Sequence, residues 1–199
     1  NLAAAGPLQS QIEQGAPADV FISAAPKQLN ELQKKNLINP ATRKNLVGNQ
    51  LVLIVPKDSR LGLSSFADLT QDKVKKFGMG APETVPAGQY GQEVLKHLGI
   101  WEKVKEKAVL GKDVRTLVAY AETGNVEASI VFSTVAATSD KVKIAATAPE
   151  GSHQPIIFPG AVLDGSKQPK AAEDFLNYLA GPEGMKVFTK YGFTALTAK

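Results

Sequence analysis

Cysteine is absent from this chain of 199 residues. That excludes disulfides, thiolate metal sites and cysteine nucleophiles, and it suits an oxidising compartment, where a stray thiol is a liability. Histidine is nearly absent: His97 and His153 stand alone, and no HxxxH or HExxH spacing joins them into a metal site. Long hydrophobic runs are also missing. The longest, Leu51–Val55 and Leu117–Ala121, fall far short of the ~20 apolar residues of a membrane helix, so no direct membrane insertion is expected. Charge of one sign never accumulates. There are 23 basic and 19 acidic residues, a net charge of +4. Lys34-Lys35 and Lys75-Lys76 are doublets rather than the blocks of a nucleic-acid patch, and no nucleic-acid partner is expected. Glycine (17) and proline (12) are too few for a collagenous or low-complexity chain. The opening Asn1–Gly6 has no basic stretch followed by an apolar one; it does not read as a signal peptide, and the start resembles the middle of a domain.

What is present alternates. Short β-branched or aromatic runs predict strands at Asp19–Ser23, Leu51–Val55, Phe77–Gly80, Ser129–Phe132, Val142–Ala145 and Ile156–Phe158, with Gly160–Leu163 as a further strand. Between them lie helix-period segments. Leu8 and Ile12 follow Pro7. Pro26 opens a second helix with Leu29 and Leu32. Pro86 opens a third, with Tyr90, Val94, Leu98 and Trp101 on one stripe. Asp113 is a good N-cap for a fourth that stops at Gly124. Ala171–Leu179 and Glu183–Tyr191 complete the set. Strands alternating with helices predict an α/β fold whose ligands sit at the carboxyl ends of strands, beside helix N-termini. Two extended stretches, Asn49–Lys57 and Gln154–Asp164, are long enough to cross between two lobes. A paired crossover places residues 1–53 and 159–199 in lobe I and residues 54–158 in lobe II.

Catalytic constellations are hard to find. No GxSxG elbow and no GxxxxGK[ST] loop occurs, and Gly78-Met79-Gly80 does not complete GxGxxG. Asp58 with Asp68, and Glu102 with Glu106, read as solvated charges. An enzyme is not expected. Three helix starts among small residues remain: Ala4-Ala5-Gly6-Pro7, Val85-Pro86-Ala87-Gly88 and Lys112-Asp113-Val114-Arg115. The first N–H groups of a helix lack intrahelical partners and carry the positive end of its dipole, so they receive an anion without any cationic side chain. Small side chains at Ala87 and Gly88 let a ligand approach the backbone closely.

The stretch Gln11–Ala24 (QIEQGAPADVFISA) resembles a signature of the periplasmic molybdate-binding proteins of ABC importers. So do Asn45–Val52, Val85–Tyr90, Lys112–Arg115, Tyr178–Glu183 and Lys190–Phe193, in order over nearly the whole chain. The resemblance implies a bilobed type II periplasmic-binding fold, with two mixed or parallel sheets flanked by helices. It implies capture of molybdate or tungstate in an interlobe cleft and delivery to an ABC permease in the periplasm. No cofactor and no resident metal are implied; the oxyanion is cargo, held by hydroxyls and backbone amides. Carried across, the family's oxyanion-binding positions fall on Ala5, Ala87, Val114 and Phe132. At Ala5 the family has a serine and at Phe132 a tyrosine, so two hydroxyl donors are missing here. Each loss is expected to cost on the order of 1.5–3 kcal/mol of binding. The family's usual opening strand and helix are not in the chain as given. A monomer is expected, with an edge-paired or swapped dimer left open. Two other readings stay open: an effector-sensing domain of a transcription regulator, and a binding protein for another oxyanion.

Overall fold

The computed structural model describes residues 1–196. The chain divides into two compact units: residues 1–49 with the chain from Pro155 on, and residues 50–154.

The first unit is built on a three-stranded antiparallel sheet. Its strands are β1 (Val20–Ile22), β2 (Lys44–Gly48) and β8 (Ile157–Val162), in the order β1-β8-β2. Period-2 alternation sends successive residues to opposite faces. Phe21 and its partner Ala161 join Ala5, Leu29 and Leu32 of helices α1 (Ala5–Glu13) and α2 (Pro26–Lys34). The neighbouring Val162 packs instead with Leu46, Ala172 and Leu176, on the side of α7 (Pro169–Ala180) and α8 (Pro182–Lys190). Helix α2 ends where Asn36 takes a positive φ of 57°, a conformation asparagine tolerates better than most residues.

The second unit holds a five-stranded mixed sheet. Its strands are β3 (Leu51–Pro56), β4 (Phe77–Gly80), β5 (Ala108–Gly111), β6 (Ala128–Phe132) and β7 (Val142–Thr147), in the order β5-β4-β6-β3-β7. Strand β4 runs parallel to both β5 and β6, while β3 is antiparallel to β6 and β7. Helices α3 (Pro86–His97) and α5 (Val114–Glu122) contact this sheet, and short helices α4 (Trp101–Val104) and α6 (Ser133–Ala136) complete the unit. On β6 the faces alternate. Ile130 and Met79 lie where a side chain on Gly91 of α3 would fall, whereas Ser129 Oγ–H donates to the Leu117 carbonyl of α5 at 2.8 Å. Val131 joins Val52, Ile54, Leu117, Val118 and Ala121 in the core on that second face.

The α/β architecture with two flanked sheets is as expected, with several local differences. Strands β2 and β5 were not foreseen. The two runs expected at Ile156–Phe158 and Gly160–Leu163 form the single strand β8. Pro159 is tolerated inside it because its carbonyl accepts the Ser23 N–H at 2.9 Å just where β1 has ended. The missing N–H faces the same way, so no bond within β1 is lost. The stripe expected from Tyr90 to Trp101 breaks at Gly99, whose φ of 67° ends α3 before Trp101 starts α4. The first sheet is antiparallel, so parallel pairing is confined to β4 with β5 and β6. Strand β3 is whole within the second unit, held by β6 and β7 on its two sides; the lobe boundary expected after Leu53 falls inside it.

Candidate functional site

Three parallel strands of the second unit end along one sheet edge. Gly80 closes β4 and is paired with Gly111, which closes β5; Phe132 closes β6. The chain leaves Gly80, turns through residues 81–85 and enters α3 at Pro86. From Gly111 it passes Lys112 and the N-cap Asp113 into α5. Ala81 N–H donates to the Gly111 carbonyl at 3.3 Å, tying the two loops together. Glycine is required at the first of these turns. A Cβ on Gly88 would collide with the Gly80 carbonyl, and one on Gly80 would meet Val85. Backbone therefore packs on backbone, and the first turn of α3 rests directly on the end of β4.

Ala87 is the second residue of α3 and fully buried. No intrahelical acceptor exists for an N–H at that position, and the N-cap Val85 has no side-chain oxygen to supply one. Val114 is the first residue of α5. The Asp113 carboxylate accepts the Thr116 N–H at 2.8 Å, two positions beyond Val114, whereas an N–H at the first helical position has no acceptor inside the helix. Burial pushes the Asp113 carboxyl up, but the hydrogen bonds from Thr116 and the nearby Lys112 charge outweigh it, and its pKa lies below the usual value. Phe132 is buried at 3% exposure, with its ring edge-on to Tyr90 at 6.3 Å between centroids. Ala87, Val114 and Phe132 thus share one edge of one sheet. Ala5 belongs to the other unit, where it is the first residue of α1; its N-cap Ala4 makes no side-chain cap bond.

Some polar and aromatic residues around this edge escaped sequence reasoning. Tyr90 read only as an apolar stripe residue and His153 as a lone surface group. In the structure the two rings meet edge-on at 5.7 Å, bringing together residues with no sequence spacing to betray them. Glu93, one turn after Gln89 on α3, accepts the Gln154 N–H at 2.8 Å. Asp68, read as a solvated charge, is instead a cap. It accepts the N–H groups of Ser64 and Ser65, at 2.8 and 2.9 Å, and those bonds hold its pKa below the ordinary value. Glu102 pairs with Lys105 at 2.6 Å on the surface. Among the described residues no group of three or more His, Cys, Asp or Glu side chains is arranged to hold a metal ion. No helix among them is long and apolar enough to cross a membrane.

A family model described as bacterial extracellular solute-binding protein matches residues 1–194. YvgL of Bacillus subtilis, a protein named as an ABC transporter substrate-binding lipoprotein, is 46% identical over 195 residues, covering 98% of this chain and 74% of its own. The molybdate-binding protein ModA of Haemophilus influenzae is 39% identical over 198 residues, covering 98% of this chain and 78% of its own. Among solved structures, a substrate-binding domain assigned to a molybdenum ABC transporter from Clostridium difficile superposes with a TM-score of 0.75 at 42% identity, covering 99% of this chain and 85% of its own.

Proposed function

The chain belongs to the bacterial extracellular solute-binding proteins, and from that premise we propose that it captures molybdate or tungstate outside the cytoplasm for an ABC permease. Its relatives are solute-binding proteins, not enzymes, and the oxyanion they carry is cargo rather than cofactor. The observation that carries the reading is the pairing of Gly80 with Gly111, which sets the starts of α3 and α5 side by side. The N–H groups of Ala87 and Val114 are then donors without an acceptor inside their own helices, each at the positive end of a helix dipole. A tetrahedral dianion offers only acceptors, so donors alone satisfy it and no lysine or arginine is called for. Strands β4 and β5 fix the donors before ligand arrives, which lowers the ordering cost of binding. Support for molybdate in particular comes from the 39% and 37% identities to the molybdate-binding proteins of Haemophilus influenzae and Escherichia coli.

Phe132 stands at the end of the third strand of the same edge, and Ala5 starts α1 in the first unit. Neither carries a hydroxyl, so at the edge shared with Ala87 and Val114 the Phe132 side chain contributes an apolar wall. Calorimetric titration of the purified chain with molybdate, tungstate, sulfate and phosphate tests the reading. Saturable heat is expected from the first two. Silence from both overturns it, and saturation by sulfate or phosphate instead transfers the site to another oxyanion.

A further inference from the structure

One face of α3 is turned onto the segment through which the chain leaves the second unit. Gln89, Tyr90 and Glu93 lie one turn apart or less, and all three bear on this face. The Tyr90 ring meets His153 edge-on at 5.7 Å. The Glu93 carboxylate accepts the Gln154 N–H through Oε2 at 2.8 Å, and its Oε1 accepts the Gln89 Nε2–H at 3.4 Å. His153 Nδ1 lies 2.7 Å from the Gln154 carbonyl. A carbonyl only accepts, so Nδ1 carries the proton and the ring orientation is fixed. After Gln154 the chain passes into the other unit at Pro155.

The Gln89 amide shows that this arrangement is held against a cost. Its Oε1 is buried without a hydrogen-bond partner. Rotating the amide by half a turn gives no relief, because an ionised carboxylate accepts only and the NH2 group must face Glu93. A buried orphan acceptor is tolerated so that Glu93 stays aimed at Gln154.

We propose that Glu93 is a positioning residue, which pins the segment 153–154 to α3 and so holds the first turn of that helix, and the Ala87 N–H it presents, in place for the oxyanion. The role rests on the molybdate reading given above. Replacement by alanine removes the pin from a half-buried position on a helix that alanine favours. Glu93→Gln keeps a carbonyl oxygen for the Gln154 N–H, and its own NH2 group can then face the Gln89 oxygen once that amide rotates.

Two measurements on the full chain test this. Amide hydrogen exchange without ligand is expected to show the Gln154 N–H slow in the wild type and in Glu93→Gln, and at least tenfold faster in Glu93→Ala. Calorimetry with molybdate is expected to give Glu93→Gln within about twofold of wild type and Glu93→Ala about tenfold weaker. If Glu93→Ala binds as tightly as wild type, or leaves Gln154 equally protected, the positioning role is overturned while the molybdate reading stands. If the wild type itself gives no heat, the molybdate reading fails, and the role for Glu93 in oxyanion binding falls with it, whatever Gln154 shows.

Discussion

Val114 is the residue at which a single donor can be removed with least collateral change. It occupies the first position of α5, where proline is favoured, because the N–H is unused by the helix and the fixed φ suits it. Asp113 before it is already extended, at φ −160° and ψ 169°, as a residue preceding proline must be. Val114→Pro is therefore expected to leave the far-ultraviolet circular dichroism unchanged and to weaken molybdate at least tenfold by calorimetry; full affinity would show that this N–H is not a ligand donor. Phe132→Tyr works in the opposite sense. It restores a hydroxyl at the end of β6, and about tenfold tighter binding is expected from a new hydrogen bond to a charged partner. An unaltered Kd would place position 132 outside the site. Asp113→Ala removes the cap on Thr116 and is expected to lower unfolding free energy by about 1 kcal/mol in urea titrations.

Elements meet at this site through glycine. Gly80 and Gly88 allow β4 and α3 to touch backbone to backbone, and any Cβ on Gly88 enters the Gly80 carbonyl. Gly88→Ala is expected to destabilise the fold by about 3 kcal/mol, read from the urea midpoint, because neither partner is a flexible side chain that can move aside. Helices α2, α3, α5, α7 and α8 were legible in the sequence because each start carries a proline or, at α5, the N-capping Asp113. Strand β5 was not. Ala108–Gly111 is four residues long at a sheet edge, with Leu110 55% exposed, so it shows no buried apolar run. Strand β2 opens with Lys44 and Asn45, which hid its buried Leu46 and Val47 in the same way.

At the level of the whole molecule, ligand and protons act on stability through linkage. A ligand that binds only the folded chain stabilises it by about 2.7 kcal/mol at a free concentration of 100 Kd. Molybdate is therefore expected to raise the melting temperature by about 5–10 °C in a chain of this size, and sulfate at the same concentration to leave it unchanged. Acid acts through Asp68 and Asp113, whose pKa values are lowered in the folded chain. A carboxylate depressed by folding contributes stability above its unfolded pKa, and the contribution is lost as pH falls through the folded value. The urea midpoint is thus expected to drop below about pH 4, and less steeply in a chain carrying both Asp68→Asn and Asp113→Asn.

Local chemistry in the sequence determined where the proline-led and Asp113-capped helices start and which of the longer apolar runs become buried strands, since each of these depends on neighbours a few residues apart; the lack of cysteine excluded thiolate chemistry outright. The motif from Gln11 to Ala24 likewise carried the family without any coordinates. Only the tertiary structure decided which remote residues meet. The pairing of Gly80 with Gly111 puts two helix starts on one edge, and residues 90, 132 and 153 become neighbours. Those contacts depend on strand order and register, set by packing over the whole sheet, and no short-range pattern encodes them.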